Sequence, residues 1–487
     1  MGLNIRAIVK TLSLMLILIG FSMMPSLLIS VFYGEYKTAE AFAKIIFPVL
    51  ATGALISSQI KIIPHQLKMR EGFIIVALSW FFASLIGSLP YLVTETVDGF
   101  VNAFFESVSG FTTTGATIIS NVEILPKGIL FWRSFCQWLG GMGILIFAIS
   151  ILPALGISGQ RIARAETPGP TLNKLRPRMS DSAKMLYYIY AVFTISAISL
   201  LILGGMDPFD ASIAAFGSVA SGGLSNYNSG IQHFNSAYIE FIASFFTVIA
   251  CINFTLYYSI VRGRWRDFFK NSEVRIFLLI LCLATAIITA DLWLTGSYNT
   301  IWESLRFGFF QSSAFITTTG HYSTNFNIWT SFSKMVLFIL MLIGGCSSST
   351  GGGIKVIRVI ILFKLIKRSF HVKLHPKAVI PIKVDGKIIP PDTMAGVMSF
   401  FYLYVFVFIA STFILSLENL DLLTTFTATA AALNNVGTGL ELIGPTGSFA
   451  LFSDFSKVYL SFLMLMGRLE LFTIILLFTP SFWNPDR

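Results

Sequence analysis

Four short stretches carry the residue types that can do chemistry: Thr112-Thr113-Thr114-Gly115-Ala116, Ala220-Ser221-Gly222-Gly223-Leu224, Thr317-Thr318-Thr319-Gly320-His321 and Asn434-Asn435-Val436-Gly437-Thr438. Each offers small or hydroxyl-bearing residues, then a glycine, then a variable residue. They recur at intervals of about 100 residues, the mark of an internal repeat. The chemistry within their reach is cation coordination. A cation that sheds its water inside a membrane needs substitute oxygens, and rings of backbone carbonyls supply them. Aiming successive carbonyls at one axis demands dihedrals that glycine reaches without steric cost, and threonine adds a hydroxyl oxygen. One such stretch reads as an ordinary turn between helices. Four in corresponding positions predict a single shared path.

The elements around them belong in a bilayer. The 487 residues are 55% hydrophobic and only 12% charged, about half the charged share of a soluble chain, with apolar runs long enough to span. Helices are expected over about Thr11–Tyr33 and Ala41–Ile63, then in four units. The first unit has Gly72–Val93, a short segment Asp98–Thr114 and Leu130–Leu155. The second has Lys184–Leu203, Asp207–Gly223 and Ser236–Val261. The third has Arg275–Leu294, Glu303–Gly320 and Phe332–Phe363, and the fourth Thr393–Leu417, Asp421–Gly437 and Phe455–Leu477. That makes an all-α membrane protein of about ten spans at roughly 20 residues each. The first run follows Arg6 and Lys10 but is long for a signal peptide, so it reads as an uncleaved helix. The four cysteines Cys136, Cys251, Cys282 and Cys346 lie in apolar runs with no paired spacing, which predicts neither a disulfide framework nor a zinc site.

The net charge of +10 reads as orientation rather than as a nucleic-acid surface, because basic residues fill alternate connections and no stacking aromatics interleave them. Lys61–Arg70, Arg161–Arg178, Arg262–Lys270 and Lys364–Lys387 fall on one side with the amino terminus. The other side holds Glu35, Glu95, Asp98, Asp207, Asp291, Glu303, Asp421, Glu441 and Asp454. The positive-inside rule puts both termini and the basic loops in the cytoplasm. Each short segment then enters from the outside and returns, and its non-helical end must be buried in protein or line a water-filled path. Asp98, Asp207, Glu303 and Asp421 stand near the starts of these segments, where an acid caps a helix and suits its dipole.

Two further features break the apolar runs. Gly344-Gly345-Cys346-Ser347-Ser348-Ser349-Thr350-Gly351-Gly352-Gly353 sets five glycines and four hydroxyl residues in the middle of an apolar run. Each glycine costs about 1 kcal/mol in a helix interior, so a broken helix with a loop beneath the four turns is expected. Arg468 falls inside the last apolar run, where a charge costs roughly 2.5–3.5 kcal/mol. Glu470, two residues on, lies on another helix face, so Arg468 is expected to bond oxygens of that loop or of the path itself.

The chain resembles the Trk/Ktr/HKT superfamily of potassium transporters, most closely its TrkH-type membrane subunits. The likeness rests on the four turns and on Gln137-Trp138-Leu139-Gly140-Gly141-Met142-Gly143, Arg164-Ala165-Glu166-Thr167-Pro168-Gly169-Pro170, the stretch from Gly344 to Lys355, and Gly467-Arg468-Leu469-Glu470, in order over nearly the whole chain. The two leading helices fit TrkH-type members rather than the shorter Ktr type. The resemblance implies a pseudo-fourfold pore in one polypeptide. Its parts would be leading helices 1–69, repeats 70–160, 184–270, 271–368 and 393–487, and cytoplasmic loops 161–183 and 369–392. It implies a potassium filter at Thr113, Thr114, Gly115, Ser221, Gly222, Gly223, Thr318, Thr319, Gly320, Asn435, Val436 and Gly437, imperfectly symmetric because Asn435-Val436 is not threonine-rich. It implies an intramembrane gating loop over Gly344–Gly353 with Lys355 and Arg468. It further implies uptake of K+ across the bacterial inner membrane, a homodimer, and a cytosolic TrkA-like nucleotide-binding partner. The chain itself has no Walker or Rossmann motif. His321 is expected to be a tolerated residue of the outer mouth, with pH sensing as the sharper alternative.

Two other classes compete. An ion-coupled (H+ or Na+) symporter would share this scaffold, although such folds usually show two inverted halves rather than four quarters. A membrane enzyme would need clustered chemistry. Only five histidines exist, and the His371/His375 pair is followed by Pro376 without acids nearby, so no enzyme is expected.

Overall fold

The computed structural model describes residues 3–60, 68–143 and 179–484, with side chains from 184 onward in the last stretch. The basic stretch 61–67, the loop 161–178 and the part of the expected helix 130–155 beyond 143 lie outside the described residues.

The two leading helices are Ile5–Phe32, broken at Met23, and Tyr36–Gln59. Both begin earlier than hydropathy suggests. The first does so because the Asn4 side chain caps it, accepting from the Ala7 amide, the contact an N-cap makes with a free first-turn donor. Small residues set their approach: a Cβ on Gly20 would stand 2.9 Å from Leu50, and one on Gly53 2.8 Å from Ile17. Glycine at such seams lets apolar helices close on one another where lipid offers no hydrophobic driving force.

Four helix–short helix–helix units follow. The first comprises Met69–Val93, bent at Ser88, then Phe100–Phe111 and Lys127–Gly141. The second comprises Met179–Leu203, Pro208–Ala220 and Ala237–Ala250. The third comprises Ser272–Leu294, Ile301–Ile316 and Ser331–Ile343, and the fourth Pro391–Leu415, Leu422–Leu433 and Asp454–Arg468. The short helices have 12, 13, 16 and 12 residues. At 1.5 Å per residue none reaches across a hydrocarbon core of about 30 Å. Their last residues are nonetheless buried: Phe111, Ala220, Ile316 and Leu433 are at most 3% exposed.

Among the described residues, six helices are long and apolar enough to cross a membrane, and two more candidates are bent pairs. The runs expected as continuous helices over Ser236–Val261 and Phe455–Leu477 bend by 89° at 251–253 and by 111° at 469–471. The backbone groups freed at the first bend find partners in the stretch 344–355. Cys251 accepts from the Cys346 amide at 3.0 Å, and the Phe254 amide donates to Ser348 at 3.1 Å, while Asn253 caps the continuing helix through the Thr255 amide. Broken helices survive at membrane depth when protein groups satisfy them in this way. Between 344 and 355 the chain is non-helical, as the glycine content predicts, and Val356–Leu374 follows.

The acids at the short-helix starts divide. Asp207 and Asp421 cap their helices, accepting from the amides of Phe209 and Thr424. Asp98 is displaced from that position by Gly99, and Thr300 rather than Glu303 caps the third helix. Threonine at N-cap bonds the third amide itself, which leaves Glu303 a first-turn charge on the helix dipole.

The connection expected as a loop over 369–392 has more structure than its basic composition suggests. The helix continues to Leu374, and Lys383–Val384 pairs antiparallel with Lys387–Ile388 about Asp385-Gly386, whose φ values are +50° and +76°. Asp-Gly at two positive-φ positions is the signature of a two-residue hairpin turn.

Candidate functional site

The four predicted turns have one backbone conformation. Thr113, Ser221, Thr318 and Asn435 have φ of +56°, +57°, +57° and +54°, and Gly115, Gly223, Gly320 and Gly437, each two residues on, have +80°, +76°, +70° and +77°. The residue between them donates its amide to the carbonyl six positions before the glycine. These bonds are Thr114 to Ser109 at 2.9 Å, Gly222 to Gly217 at 2.8 Å, Thr319 to Ala314 at 2.9 Å and Val436 to Ala431 at 2.9 Å. Left-handed φ at a threonine is strained, so its recurrence needs a compensating use for the side chain. Thr318 accepts from the Gly352 amide at 2.6 Å and Thr113 from the Arg468 guanidinium at 3.2 Å.

The turns touch in a closed order. A Cβ on Gly115 would stand 2.0 Å from the carbonyl oxygen of Gly222, and one on Gly223 would stand 2.0 Å from that of Thr319. On Gly320 it would meet Val436 at 2.0 Å, and on Gly437 Thr114 at 2.1 Å. Each motif glycine thus packs on the carbonyl that precedes the next motif glycine, and the fourth returns to the first. Side chains add links across two of the same seams. Asn435 donates to the Thr114 hydroxyl at 2.9 Å, and Thr438 to the Gly320 carbonyl at 2.7 Å.

Behind each turn the residue three past the glycine is tied to the short helix, with different chemistry in each unit. The Ile118 amide donates to Glu106, the Asn226 amide group to Asp210, the Ser323 amide to Gln311 and the Leu440 amide to the Thr427 hydroxyl. The tie in the first unit includes an ion pair. Arg133 and Glu106, each 1% exposed, meet at 2.7 Å and share Thr117. Breaking a buried pair by deleting one partner leaves a bare charge and costs about 3–5 kcal/mol. Arg133→Ala is therefore expected to lower the melting temperature in detergent sharply. Arg133→Ala with Glu106→Ala should recover much of the loss, and the two melts measured side by side check this.

The stretch 344–355 closes on itself beneath the turns. Ile354 and Lys355 donate their amides to Leu342 and Ile343 at 3.1 and 2.9 Å, and the Val356 amide donates to Gly345 at 3.0 Å. Gly344 and Gly353 touch backbone to backbone at the neck. The bend of the loop reaches three of the turns. Thr350 bonds the Ser221 hydroxyl at 2.6 Å, Gly352 bonds Thr318, and a Cβ on Gly352 would stand 2.2 Å from the Asn434 carbonyl oxygen. Arg468 links the loop to the first turn. It donates to Thr350 O at 2.9 Å, the Thr113 hydroxyl at 3.2 Å, and the carbonyls of Gly140 and Gly141 at 2.5 and 2.8 Å. The Lys355 ammonium bonds the Gly351 carbonyl.

Arg468 thus bonds the loop oxygens expected of it, but it ends its helix rather than lying within one. Beyond Leu469, Glu470 and Leu471 both take positive φ. His321 is not a residue of a wet mouth. It is 2% exposed, sits against Gly217 and lies 3.5 Å from the Ser218 hydroxyl, because the chain after Gly320 runs behind the second short helix.

Sequence reasoning missed three contributors. Gln137 grips the second turn from the first unit, donating to Gly222 O at 2.6 Å and accepting from the Leu224 amide at 3.2 Å; it stands in a motif that carries the family resemblance, but nothing local gives it a role at the turn. Glu273, 3% exposed, accepts from the Ser347 amide and hydroxyl at 2.6 and 2.8 Å and from the Ile357 amide at 3.2 Å. An acid in a first helical turn looks like a cap, and nothing local distinguishes the two uses. Arg358 pairs with Glu470 and lies 3.9 Å over the Phe400 ring.

Residues 38–484 match the TrkH family of cation transport proteins. The chain belongs to the TrkH family. The Trk system potassium uptake protein TrkH of Halomonas elongata is 38% identical over 99% of this chain and 100% of its own length. TrkH of Escherichia coli K12 is 37% identical with the same coverage. The related TrkG of that strain is 34% identical, over 99% of both chains. The crystal structure of the potassium transporter TrkH from Vibrio parahaemolyticus superposes with a TM-score of 0.88 at 36% identity, covering 99% of this chain and all of that one. As a TrkH-family member this chain is an integral membrane protein of helical architecture, and its relatives are named as potassium uptake proteins.

Proposed function

We infer that this chain is the ion-translocating subunit of a Trk-type potassium uptake system in the bacterial inner membrane. K+ is the transported ion, and the four turns form its filter in a pseudo-fourfold arrangement. The observation that carries this reading is the cyclic order of glycine-on-carbonyl contacts, 115 to 222, 223 to 319, 320 to 436 and 437 to 114. Four like-built turns joined head to tail surround a common axis, and the oxygens they hold there replace an alkali ion's water. The binding set is Thr113, Thr114, Ser221, Gly222, Thr318, Thr319, Asn435 and Val436, with the four motif glycines setting the spacing.

The loop 344–355 is the gate, here in its closed position, since it bonds the second and third turns, packs on the fourth at Asn434 and reaches the first through Arg468. Both termini face the cytoplasm, following the basic connections. The relatives' "Trk system" names fit a subunit that works with others: a TrkA-like cytosolic nucleotide-binding ring, and a second copy of this chain in a homodimer.

The test is the reversal potential of the purified protein in planar bilayers under opposed potassium, sodium and proton gradients. A potential that follows the potassium gradient alone supports a potassium-selective path. One that moves with the proton or sodium gradient replaces it with coupled transport.

A further inference from the structure

We propose that the cytoplasmic hairpin 382–389 is a lever on the loop 344–355, acting through Asp385 and Glu273 as positioning residues. This rests on the reading of that loop as the gate. The chain of contacts is short and continuous. At the hairpin tip, Asp385 accepts from the Ser272 amide at 2.9 Å and from the Asn271 side chain at 3.3 Å. Those residues open the helix Ser272–Leu294, and Asn271 is its N-cap, accepting from the Val274 amide at 3.0 Å. The next residue is Glu273, whose two carboxylate oxygens hold the Ser347 amide and hydroxyl within the loop and the Ile357 amide just past it. One helical turn therefore has the hairpin bonded to its free end and the gate bonded to its second residue.

The hairpin is tied to two helices at once. Ile382, Val384 and Ile389 are at most 4% exposed and anchor it in the apolar core, while Ile388 is 61% exposed. Lys364, on the helix that leaves the gate, donates to the Lys383 carbonyl at 2.6 Å. It therefore bridges the helix that enters unit three and the helix that follows its loop. A first helical turn is the softest part of a helix, since its leading amides have no intrahelical partners. Asp385 supplies one of those missing partners from outside. Displacing the hairpin withdraws it, frees the first turn and lets Glu273 swing, and the two bonds to Ser347 and the one to Ile357 are then lost together.

The experiment is 86Rb+ uptake into proteoliposomes holding the full chain, with Asp385→Ala, Asp385→Glu, Glu273→Gln, the double variant Asp385→Ala/Glu273→Gln, and Arg468→Ala as an independent probe of the gate. Loss of one bond to a charged group shifts a two-state equilibrium by about tenfold, so Asp385→Ala is expected to raise basal uptake by about that factor. Glu273→Gln should raise it at least as far. Contacts in series are not additive, so the double variant should match Glu273→Gln alone, while Asp385→Glu should return most of the closure. Reversal potentials should stay at the wild-type value throughout, which a general loosening of the fold would not preserve. Wild-type uptake in Asp385→Ala beside a leaking Arg468→Ala, or fully additive effects in the double variant, overturns the lever and leaves the gate standing. If no variant leaks, the gate reading fails and the lever falls with it.

Discussion

Gly223→Ala is expected to abolish selective potassium conduction while the protein remains folded. The added Cβ would sit 2.0 Å from the Thr319 carbonyl oxygen, far inside van der Waals contact. Its neighbour is backbone, held by the Thr319 and Gly320 amide bonds to Ala314, so it cannot rotate aside as a side chain would. The residue would also have to keep φ at +76°, which costs a non-glycine residue about 1–2 kcal/mol. The ring has no slack, because each turn leans on the next and the fourth on the first. Conduction should fall by about a hundredfold or more, the order that a displacement near 1 Å costs in other tightly positioned sites. Gly34→Ala is the control. Its φ is +74°, yet nothing lies within 4 Å of the added Cβ, so it should lose about 1 kcal/mol of stability and no flux. Reversal potentials and uptake measured on both variants, each shown to be monodisperse in detergent, decide the matter. A Gly223→Ala protein that conducts like wild type with unchanged ion preference would mean that the turns do not line the path.

The turns were legible in the sequence because their backbone needs residues that advertise it. Positive φ two residues apart calls for glycine at the second position, and all four glycines are there. The loop 344–355 was legible for the same reason, since five glycines cannot pass unnoticed in an apolar run. The bends at 251–253 and 469–471 were not. Cys251-Ile252-Asn253 and Leu469-Glu470-Leu471 contain no glycine or proline, and a hydropathy window reads straight across them. What stabilises the first bend is the loop some 95 residues further along the chain (Cys346 on Cys251), a tertiary contact with no local signal. Glu273 was hidden in the same way, being 74 residues from the serine it holds. The hairpin was a different failure: Val384-Asp385-Gly386-Lys387 carries a recognisable turn, but the surrounding lysines drew the reading toward charge rather than backbone.

Arg468→Ala should raise basal cation flux by more than tenfold and leave the potassium-to-sodium preference nearly unchanged. Two effects act in the same direction. The guanidinium ties the Thr350 carbonyl, the Thr113 hydroxyl and the helix end at Gly140 and Gly141 into one knot. Hydrogen bonds from a charged donor are worth about 1.5–3 kcal/mol each, so the loop loses its hold on the first turn. The positive charge also opposes a cation leaving the turns: two unit charges about 8 Å apart repel by roughly 2 kcal/mol at an effective dielectric near 20. Arg468→Lys separates the contributions, because it keeps the charge but cannot present a planar fork to four oxygens. Its leak should fall between wild type and Arg468→Ala. Ion preference should survive both changes, since on the proposed reading it belongs to the carbonyls of the turns, whereas Arg468 bonds the first turn at the Thr113 hydroxyl. Uptake of 86Rb+ with sodium competition reads both quantities in one assay. An Arg468→Ala protein as tight as wild type would show that the loop closes the path without this residue, whereas lost selectivity would place Arg468 in the filter rather than beneath it.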